Sequence, residues 1–583
     1  VIPSGELILT QNGAEIKQAG FPGEKQQVCR ALFSLTVFGQ AFSQNGEREV
    51  ASVNERFKTV PMAHQLQAFN ACDGKAYFAL LMEQGTGKTK VIIDDVARCW
   101  SRGEVDALFV VAPNGVHIKW VTIEIPKHMP DWCPVVSAFY SAGANKRHLA
   151  MIEKLFETTP DNEPRPLRVL TMNYEALGTD QGYELLNRFT LAFNPMGVGD
   201  ESQRFKNEKA VRTTVLMGVR RRFPVRRIMS GTPIVQAPFD AFTQFKFLDP
   251  SILRTESFTA FKTEYSEMLP EDHFLVRKLQ RGAWANKKTG KPSKRVPQII
   301  ARNYEGLPQY RNLDKLNRLI SKHSFRVLKR DCLDLPEKVY DVIPFEMTPR
   351  QEEVYRRMER ERRAELDRVI DDVVRGGRQF GYDADGAIEA GRELIVANKL
   401  VAMAKLHQIT CGYLKLEDGE VIRMFKKVMD NPRNAALMES IEDREGPMLI
   451  WAPHIDKLNQ IIECLREGYG EAAIRRYDGQ VKKNDRMRDV DDFQAGKFRF
   501  YVMNPASAAT GLTLTQAQWS YYYSNSFNLE HRLQSEDRNH RIGTEGSVTY
   551  TDLEALNTID RHITLSNQAK KAIADIITGD SQL

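Results

Sequence analysis

The chain has 583 residues, of which 42% are hydrophobic and 27% charged, enough apolar material for several buried cores and, at roughly 150 residues per domain, for about four compact units. A peptide hormone, a disordered tail and a small disulfide-stapled scaffold are excluded. The 82 Lys and Arg exceed the 76 Asp and Glu by six, a mild basic excess that accommodates a polyanionic partner without requiring one.

No run approaches the ~18 apolar residues of a membrane span. The N-terminal segment intersperses Glu6, Glu15, Lys17, Glu24 and Lys25 and contains no apolar stretch of secretory type. The seven cysteines are scattered, Cys72 and Cys99 being the nearest pair, which argues for a reducing compartment and against a disulfide framework or a zinc site. A cytoplasmic or nucleoid-associated chain without a membrane partner is expected; its start at Val1 is compatible with a longer or processed precursor.

Residues 1–55 punctuate runs of Thr, Val, Phe and Leu with Gly13, Gly20, Pro22 and Gly23 and read as a small β-rich appendage. From 56 to 250, short apolar runs alternate with charged amphipathic stretches, the pattern of helices packed on both faces of a parallel sheet. Tyr77–Met82, Ala107–Ala112, 168–172 and 227–230 are its expected strands. Residues 251–325 form a basic inter-lobe insertion. Within it, 277–295 carries Arg277, Lys278, Arg281, Lys287, Lys288, Lys291, Lys294 and Arg295 with no acid, broken by Gly282, Gly290, Pro292 and Trp284. This reads as a flexible basic loop, suited to solvent or to a phosphate backbone. Residues 326–575 repeat the α/β pattern, with strands expected at 448–452, 473–477, 498–503 and 519–523. A helical insertion near 345–415 interrupts it, where the Glu and Arg pattern around Val354, Met358 and Leu366 predicts a long surface helix over 349–375.

The sharpest chemical signal is Gln84-Gly85-Thr86-Gly87-Lys88-Thr89, between the apolar run Tyr77–Met82 and the helix-like Val91-Ile92-Ile93-Asp94. Strand, glycine loop and helix in that order let backbone N–H groups surround a phosphate, while Lys88 reaches terminal phosphates and the Thr89 hydroxyl faces Mg²⁺. Met82 departs from the fuller pattern, which places a glycine there. A magnesium nucleotide also needs an acid on a second strand, and Asp200-Glu201 supplies two: Asp200 for the metal and Glu201 as general base. Taken alone such a pair also fits a turn or a solvated helix start; its place after 196–198 and downstream of the glycine loop favours the catalytic reading. Gly199 is expected to shorten the strand before it.

In this order the motifs resemble those of the helicase superfamily-two ATPases, and within them the Swi/Snf family of double-stranded DNA translocases and chromatin-remodelling motors. The resemblance runs from about His64 to Asp560. His64-Gln65 is similar to the adenine-reading segment, Pro113 with Trp120 and Glu124 to motif Ia, and Thr171-Met172-Asn173-Tyr174-Glu175 to the element that follows. Asp200-Glu201-Ser202-Gln203-Arg204-Phe205-Lys206-Asn207 resembles the Asp-Glu-Ala-His box with Ser and Gln in place of Ala and His, and Ser230-Gly231-Thr232-Pro233 resembles motif III. The second half continues with Leu335-Pro336, Lys338, Trp451, Tyr477-Asp478-Gly479-Gln480, Arg486 and Gly511-Leu512-Thr513-Leu514. Its most specific string is 534–543, from Gln534 through Arg538 and Arg541 to Gly543.

The resemblance implies two RecA-like lobes, ATP with Mg²⁺, and double-stranded DNA as partner, with protein cargo on that DNA and the oligomeric state left open. It implies coupling roles for Ser230, Thr232 and Gln534, nucleotide contact at Gly511, and adenine contact at Gln65, whose carboxamide can donate and accept at once. Arg538 and Arg541, three apart and expected on one helical face, can bridge phosphate oxygens as charge develops. DNA-contact candidates are Lys287, Lys288, Arg326, Lys329, Arg330 and Thr513. The expected activity is a DNA-dependent ATPase that moves along duplex DNA. A strand-separating or annealing helicase on forked DNA, and an ATP-binding scaffold with vestigial hydrolysis, stay open at this point.

Overall fold

The computed structural model describes residues 8–10, 13–15, 56–141, 146–160, 164–277, 298–361, 401–416, 420–507 and 512–580. The chain divides into two units, Val1–Val60 and Pro61–Leu583. In the first, β1 (Ile8–Thr10) pairs antiparallel with β2 (Gly13–Glu15), in keeping with the β character expected there.

The second unit is built on two parallel sheets, not the larger number of bodies that length alone suggests. One contains β3 (Tyr77–Met82), β4 (Ala107–Ala112), β5 (Val135–Tyr140), β6 (Leu167–Asn173), β7 (Pro195–Asp200), β8 (Val225–Met229) and β9 (Ser324–Val327), in the order β5-β6-β4-β7-β8-β3-β9. The next strand, β10 (Lys338–Phe345), opens the other sheet. A separate antiparallel pair, β11 (Tyr413–Lys415) and β12 (Val421–Arg423), follows it. The remaining strands are β13 (Met448–Trp451), β14 (Ile474–Tyr477), β15 (Phe500–Met503), β16 (Trp519–Tyr522) and β17 (Val548–Ala555), giving the order β10-β17-β16-β13-β15-β14. Every pairing in both sheets is parallel.

Strands covered on both faces need near-continuous apolar runs. The sequences ALFVVA of β4 and MLIW of β13 are buried throughout, and YFALLM of β3 is buried from its second residue on. The eight strands expected from such runs are all present, with ends moved by a residue or two. Edge strands give a weaker signal: β5 is mostly half-buried and β10 mostly exposed. Strand β7 runs its full length to Asp200. Gly199 makes room instead of ending it, since a Cβ there would lie 2.7 Å from the Phe205 ring.

The lobe boundaries differ from those expected. Strand β9 completes the first sheet beside β3, so Arg326 belongs to lobe one and not to the start of lobe two. At the other end, the helix Ile559–Thr578 leaves β17 and finishes in the core of lobe one, where Ile577 is fully buried. Asn317 donates to the Ile577 carbonyl at 2.8 Å, and Arg326 pairs with Asp580. The chain between the two expected borders is therefore held by lobe one at both ends. The surface helix expected over 349–375 is present over 349–361; its remainder lies outside the described residues, as do 278–295, with Lys287 and Lys288, and Gly511. Among the described residues no helix is long and apolar enough to cross a membrane.

One carboxylate fixes the segment that presents the arginines. Glu536, 3% exposed at the end of the helix Leu529–Glu536, accepts from Lys338 at 3.2 Å and Tyr340 at 2.8 Å on β10, and from Arg532 at 2.8 Å. Burial by itself would raise its pKa, but Lys338, Arg532 and Tyr340 hold it at about 2. A depressed carboxylate stabilises the fold above its ordinary value of 4.5 and loses that contribution as pH falls toward 2. Glu536→Gln is therefore expected to lower the urea midpoint at pH 7, with the gap to wild type shrinking between pH 4.5 and 2. A gap independent of pH in that window would contradict the assignment.

Candidate active site

Parallel pairing sets the site. Register matches Leu80 of β3 and Asp200 of β7 to Met229 of β8, so the glycine loop, the acid pair and Ser230-Gly231-Thr232 all leave the same edge of the sheet. That edge is where an open α/β sheet binds ligands, and the crossover from β3 to the non-adjacent β4 opens the crevice.

The glycine loop ends at Lys88, the first residue of the helix Lys88–Ser101. Gly87 has φ 86°, and a Cβ there would lie 2.2 Å from the Gln65 amide, so only glycine serves. The Lys88 ammonium donates to the carbonyls of Met82 at 2.9 Å and Glu83 at 3.2 Å. Burial lowers its pKa, while Glu201, Asp200 and Asp537 pull it back up. Thr86 donates to the Glu83 carbonyl at 2.7 Å, and Thr89 is half-buried on the first helical turn. Gln65, the expected adenine contact, lies against the glycine loop. Its amide donates to the Thr86 carbonyl at 3.1 Å, and its oxygen accepts from the Met62 N–H at 3.0 Å, so the carboxamide joins the glycine loop to the start of its own helix. His64 meets the same Thr86 carbonyl at 2.8 Å.

Asp200 is buried, and one of its oxygens accepts from the Trp120 indole at 3.0 Å; burial, then Glu201, raises its pKa. Glu201 lies at φ 51°, a left-handed backbone that side-chain-bearing residues rarely adopt and that costs of order 1–3 kcal/mol. From it runs a polar chain. Gln203 donates to Glu201 at 2.8 Å, accepts from Ser230 at 2.7 Å and donates to Glu530 of lobe two at 3.2 Å. Ser230 also accepts from the Thr232 N–H at 3.0 Å, and Gln534 donates to Glu530 at 3.1 Å. Ser230, Thr232 and Gln534 are thus brought into one connected group. Gln203 and Glu530, its centre, are the residues that sequence reasoning left without a role; the four-residue step from Glu530 to Gln534 was the available signal.

The two arginines come from lobe two. They lie in the turn after the helix Leu529–Glu536, not on one helical face as expected. The Leu514 N–H donates to the Arg538 carbonyl at 2.8 Å, and the Arg538 N–H turns back to the Ser535 carbonyl in a tighter, three-residue step. Arg538 is buried, donates to the Gln534 carbonyl at 2.9 Å and reaches Gln84 of the glycine loop at 3.5 Å. Arg541 donates to the Leu512 carbonyl at 2.9 Å, which brings the half-buried Thr513 beside the pair. Burial lowers the pKa of both guanidiniums.

Two expected DNA contacts are engaged inside the protein. Lys329 is 3% exposed, pairs with Asp537 and donates to the His540 carbonyl at 3.1 Å, while its backbone N–H donates to Glu83 at 2.7 Å. It joins the glycine-loop strand to the arginine turn. Arg326, besides Asp580, donates to the carbonyls of Leu81 at 2.9 Å and Gly231 at 3.1 Å. Arg330 is exposed beside the Asp580 carbonyl.

The donor set fits a magnesium nucleotide. Two buried oxygens at this seam, Thr232 Oγ1 and Gln534 Oε1, have no protein partner. Among the described residues no three His, Cys, Asp or Glu side chains cluster to hold a metal by themselves. Mg²⁺ takes one or two protein oxygens and completes its shell with phosphates and water; Asp200 and Thr89 are the residues that would hold it.

A model of the SNF2-related domain matches residues 63–404, more than half of the chain, and a model of the helicase conserved C-terminal domain matches 432–543. Similar curated proteins include the DNA annealing helicase and endonuclease ZRANB3 of Mus musculus, 24% identical over 82% of this chain and 37% of its own length. Another is the chromatin remodeling factor mit1 of Schizosaccharomyces pombe, 20% identical over 86% of this chain and 31% of its own. The chain thus spans well under half the length of these two relatives. Among solved structures, the Sulfolobus solfataricus SWI2/SNF2 ATPase core in complex with dsDNA is 19% identical, covering 90% of this chain and 94% of that one, with a TM-score of 0.35. With the glycine loop and acid pair on one sheet and the arginine turn on the other, the chain belongs to the SNF2-related family of helicase-fold ATPases.

Proposed function

We propose that the chain is a DNA-dependent ATPase that couples hydrolysis at the lobe seam to movement along double-stranded DNA. The observation that carries this reading is the reach of Arg538 from lobe two to Gln84 of the glycine loop on lobe one. A nucleotide in that loop is complete catalytically only when both lobes contribute, so its binding favours closure and the departure of products favours opening.

In this reading Lys88 leaves two neutral carbonyls for the terminal phosphates, and Glu201 takes the proton of the attacking water. Arg538 and Arg541 offset charge developing on the transferred phosphoryl group. Asp200 and Thr89 would hold Mg²⁺, which when bound would neutralise charge on the phosphate oxygens. Gln203 and Glu530 connect the general base to motif III and to the arginine segment, a route by which events at the phosphate reach the other lobe. Gly511 remains a proposed nucleotide contact.

For DNA, the basic stretch 277–295 and Arg330, with Thr513, remain the proposed contacts; Lys287 and Lys288 lie within that stretch. A cavity of about 390 Å³ between the lobes, lined by Gln236, His454, Asn504, Asn528 and His531, offers amide and imidazole donors without an acid and supports passage of a phosphate backbone there.

Lys88→Ala and Glu201→Gln are each expected to lower DNA-stimulated ATP turnover at least about 100-fold with unchanged thermal unfolding; full stimulated turnover in either would refute the assignment. Neutralising the eight basic residues of 277–295 is expected to weaken duplex binding and flatten its dependence on salt, by roughly 0.9 in log–log slope per lost phosphate contact. An unchanged slope would place the contacts elsewhere. Triplex displacement without unwinding of a forked duplex is the outcome that separates translocation from strand separation.

A further inference from the structure

The edge of the first sheet opposite the nucleotide site carries a second concentration of positive charge. A groove of about 520 Å³ is lined by Arg220, Arg221, Arg226 and Arg254, together with Asp249 and Glu256. Arg220 and Arg221 lie in the turn before β8, Arg226 is its second residue, and Asp249 to Glu256 follow the helix Asp240–Leu248 as it returns from the site. Ser230 lies at the far end of the same strand, about 13 Å away at the usual rise, so the two places share an element but no residue.

Four guanidiniums line one groove with two acids, whose charges act on Arg220 while Arg226 and Arg220 in turn help to lower the Asp249 pKa. None of the four forms an ion pair with a described residue, although both carboxylates line the same groove. Asp249 is occupied by the Ser251 N–H at 2.8 Å. Arg226 forms the floor: it is 5% exposed, held over the Tyr77 ring at 3.9 Å and bonded to the Phe247 carbonyl at 3.3 Å, yet its Nε has no protein partner. Burial, followed by repulsion from Arg226 and Arg221, lowers the pKa of Arg220. Arg221 and Arg254 stand exposed on the rim. A buried guanidinium whose hydrogen bonding is incomplete and which has no ion pair is costly, and an anion at its open side offsets that cost. The planar fork of arginine suits a phosphate with several oxygens, and the concave shape admits a compact group.

We propose that this groove is a phosphate-binding site, separate from the nucleotide cradle, in which Arg226 meets the anion at the floor and Arg220, Arg221 and Arg254 close over it. The ligand is a phosphate group, carried either by a small phosphorylated molecule or by nucleic acid.

The test uses inorganic pyrophosphate and the full chain in a Lys88→Ala background, which weakens competing binding in the glycine loop. Calorimetric titration is expected to show one site, weakened about tenfold or more by adding Arg221→Glu and Arg254→Glu. Equal binding before and after that addition would overturn the proposal. With Lys88 intact, the same two rim substitutions are expected to leave basal ATP turnover unchanged; its loss would overturn the separation of the two sites. Competition then identifies the source. Displacement by a 5′-phosphorylated duplex but not by its hydroxyl-ended twin assigns a terminal nucleic-acid phosphate. Displacement by both assigns the phosphodiester backbone, and displacement by neither assigns a small phosphorylated molecule. Poly-glutamate displacing pyrophosphate as well as phosphate ligands do, at equal charge, would overturn the phosphate assignment in favour of an acidic protein segment.

Discussion

A parallel sheet offers ligands one carboxyl edge, and here no single sheet carries all that the chemistry needs. Asp200, Glu201 and the glycine loop leave the edge of the first sheet, whereas Arg538 and Arg541 belong to the lobe of the second. The contact from Arg538 to Gln84 spans that division. The other features of the seam keep the two halves in register.

Three kinds of bond serve this purpose. Lys329, from the segment after β9, ties the Glu83 carboxylate of lobe one to Asp537 in the arginine turn. Gln203 links Glu201 and Ser230 to Glu530. The terminal helix begins on lobe two and buries Ile577 in lobe one. The first two are polar and close to the nucleotide site, so a change of charge there alters them directly. The third combines the burial of Ile577 with polar ties from Asn317 and Arg326, and so fastens the end of the chain to lobe one. Strain at Glu201 belongs with the polar group: its left-handed backbone persists because Ser202, Gln203 and Tyr174 fix the residues on either side through Gln244, Ser230 and the Asp200 carbonyl.

The residues that meet at the seam were legible in the sequence because each sits in a short string with few alternative readings: Gly87 before Lys88, Asp200 before Glu201, Arg538 three before Arg541. The buried strands were legible because continuous apolar runs have few other uses. What escaped depends on contacts remote in the chain. Arg326 and Lys329 look like free cations beside a basic stretch, and only the arrival of Asp580 and Asp537 shows that their charge is spent internally. Strand β9 is a four-residue edge, and β17 carries Asp552 and Glu554, so neither has the composition of a core strand. The arginines were expected on a helix because their spacing allows it, but the helix ends at Glu536 and the Arg538 carbonyl is taken by the remote Leu514 N–H.

The most direct measurement is ATP affinity and turnover, determined separately, in Arg538→Ala. A guanidinium delivered across the seam to the transition state predicts binding within a few fold of wild type and turnover lower by about a thousandfold or more. Turnover equal to wild type would show that one lobe suffices and would contradict the account.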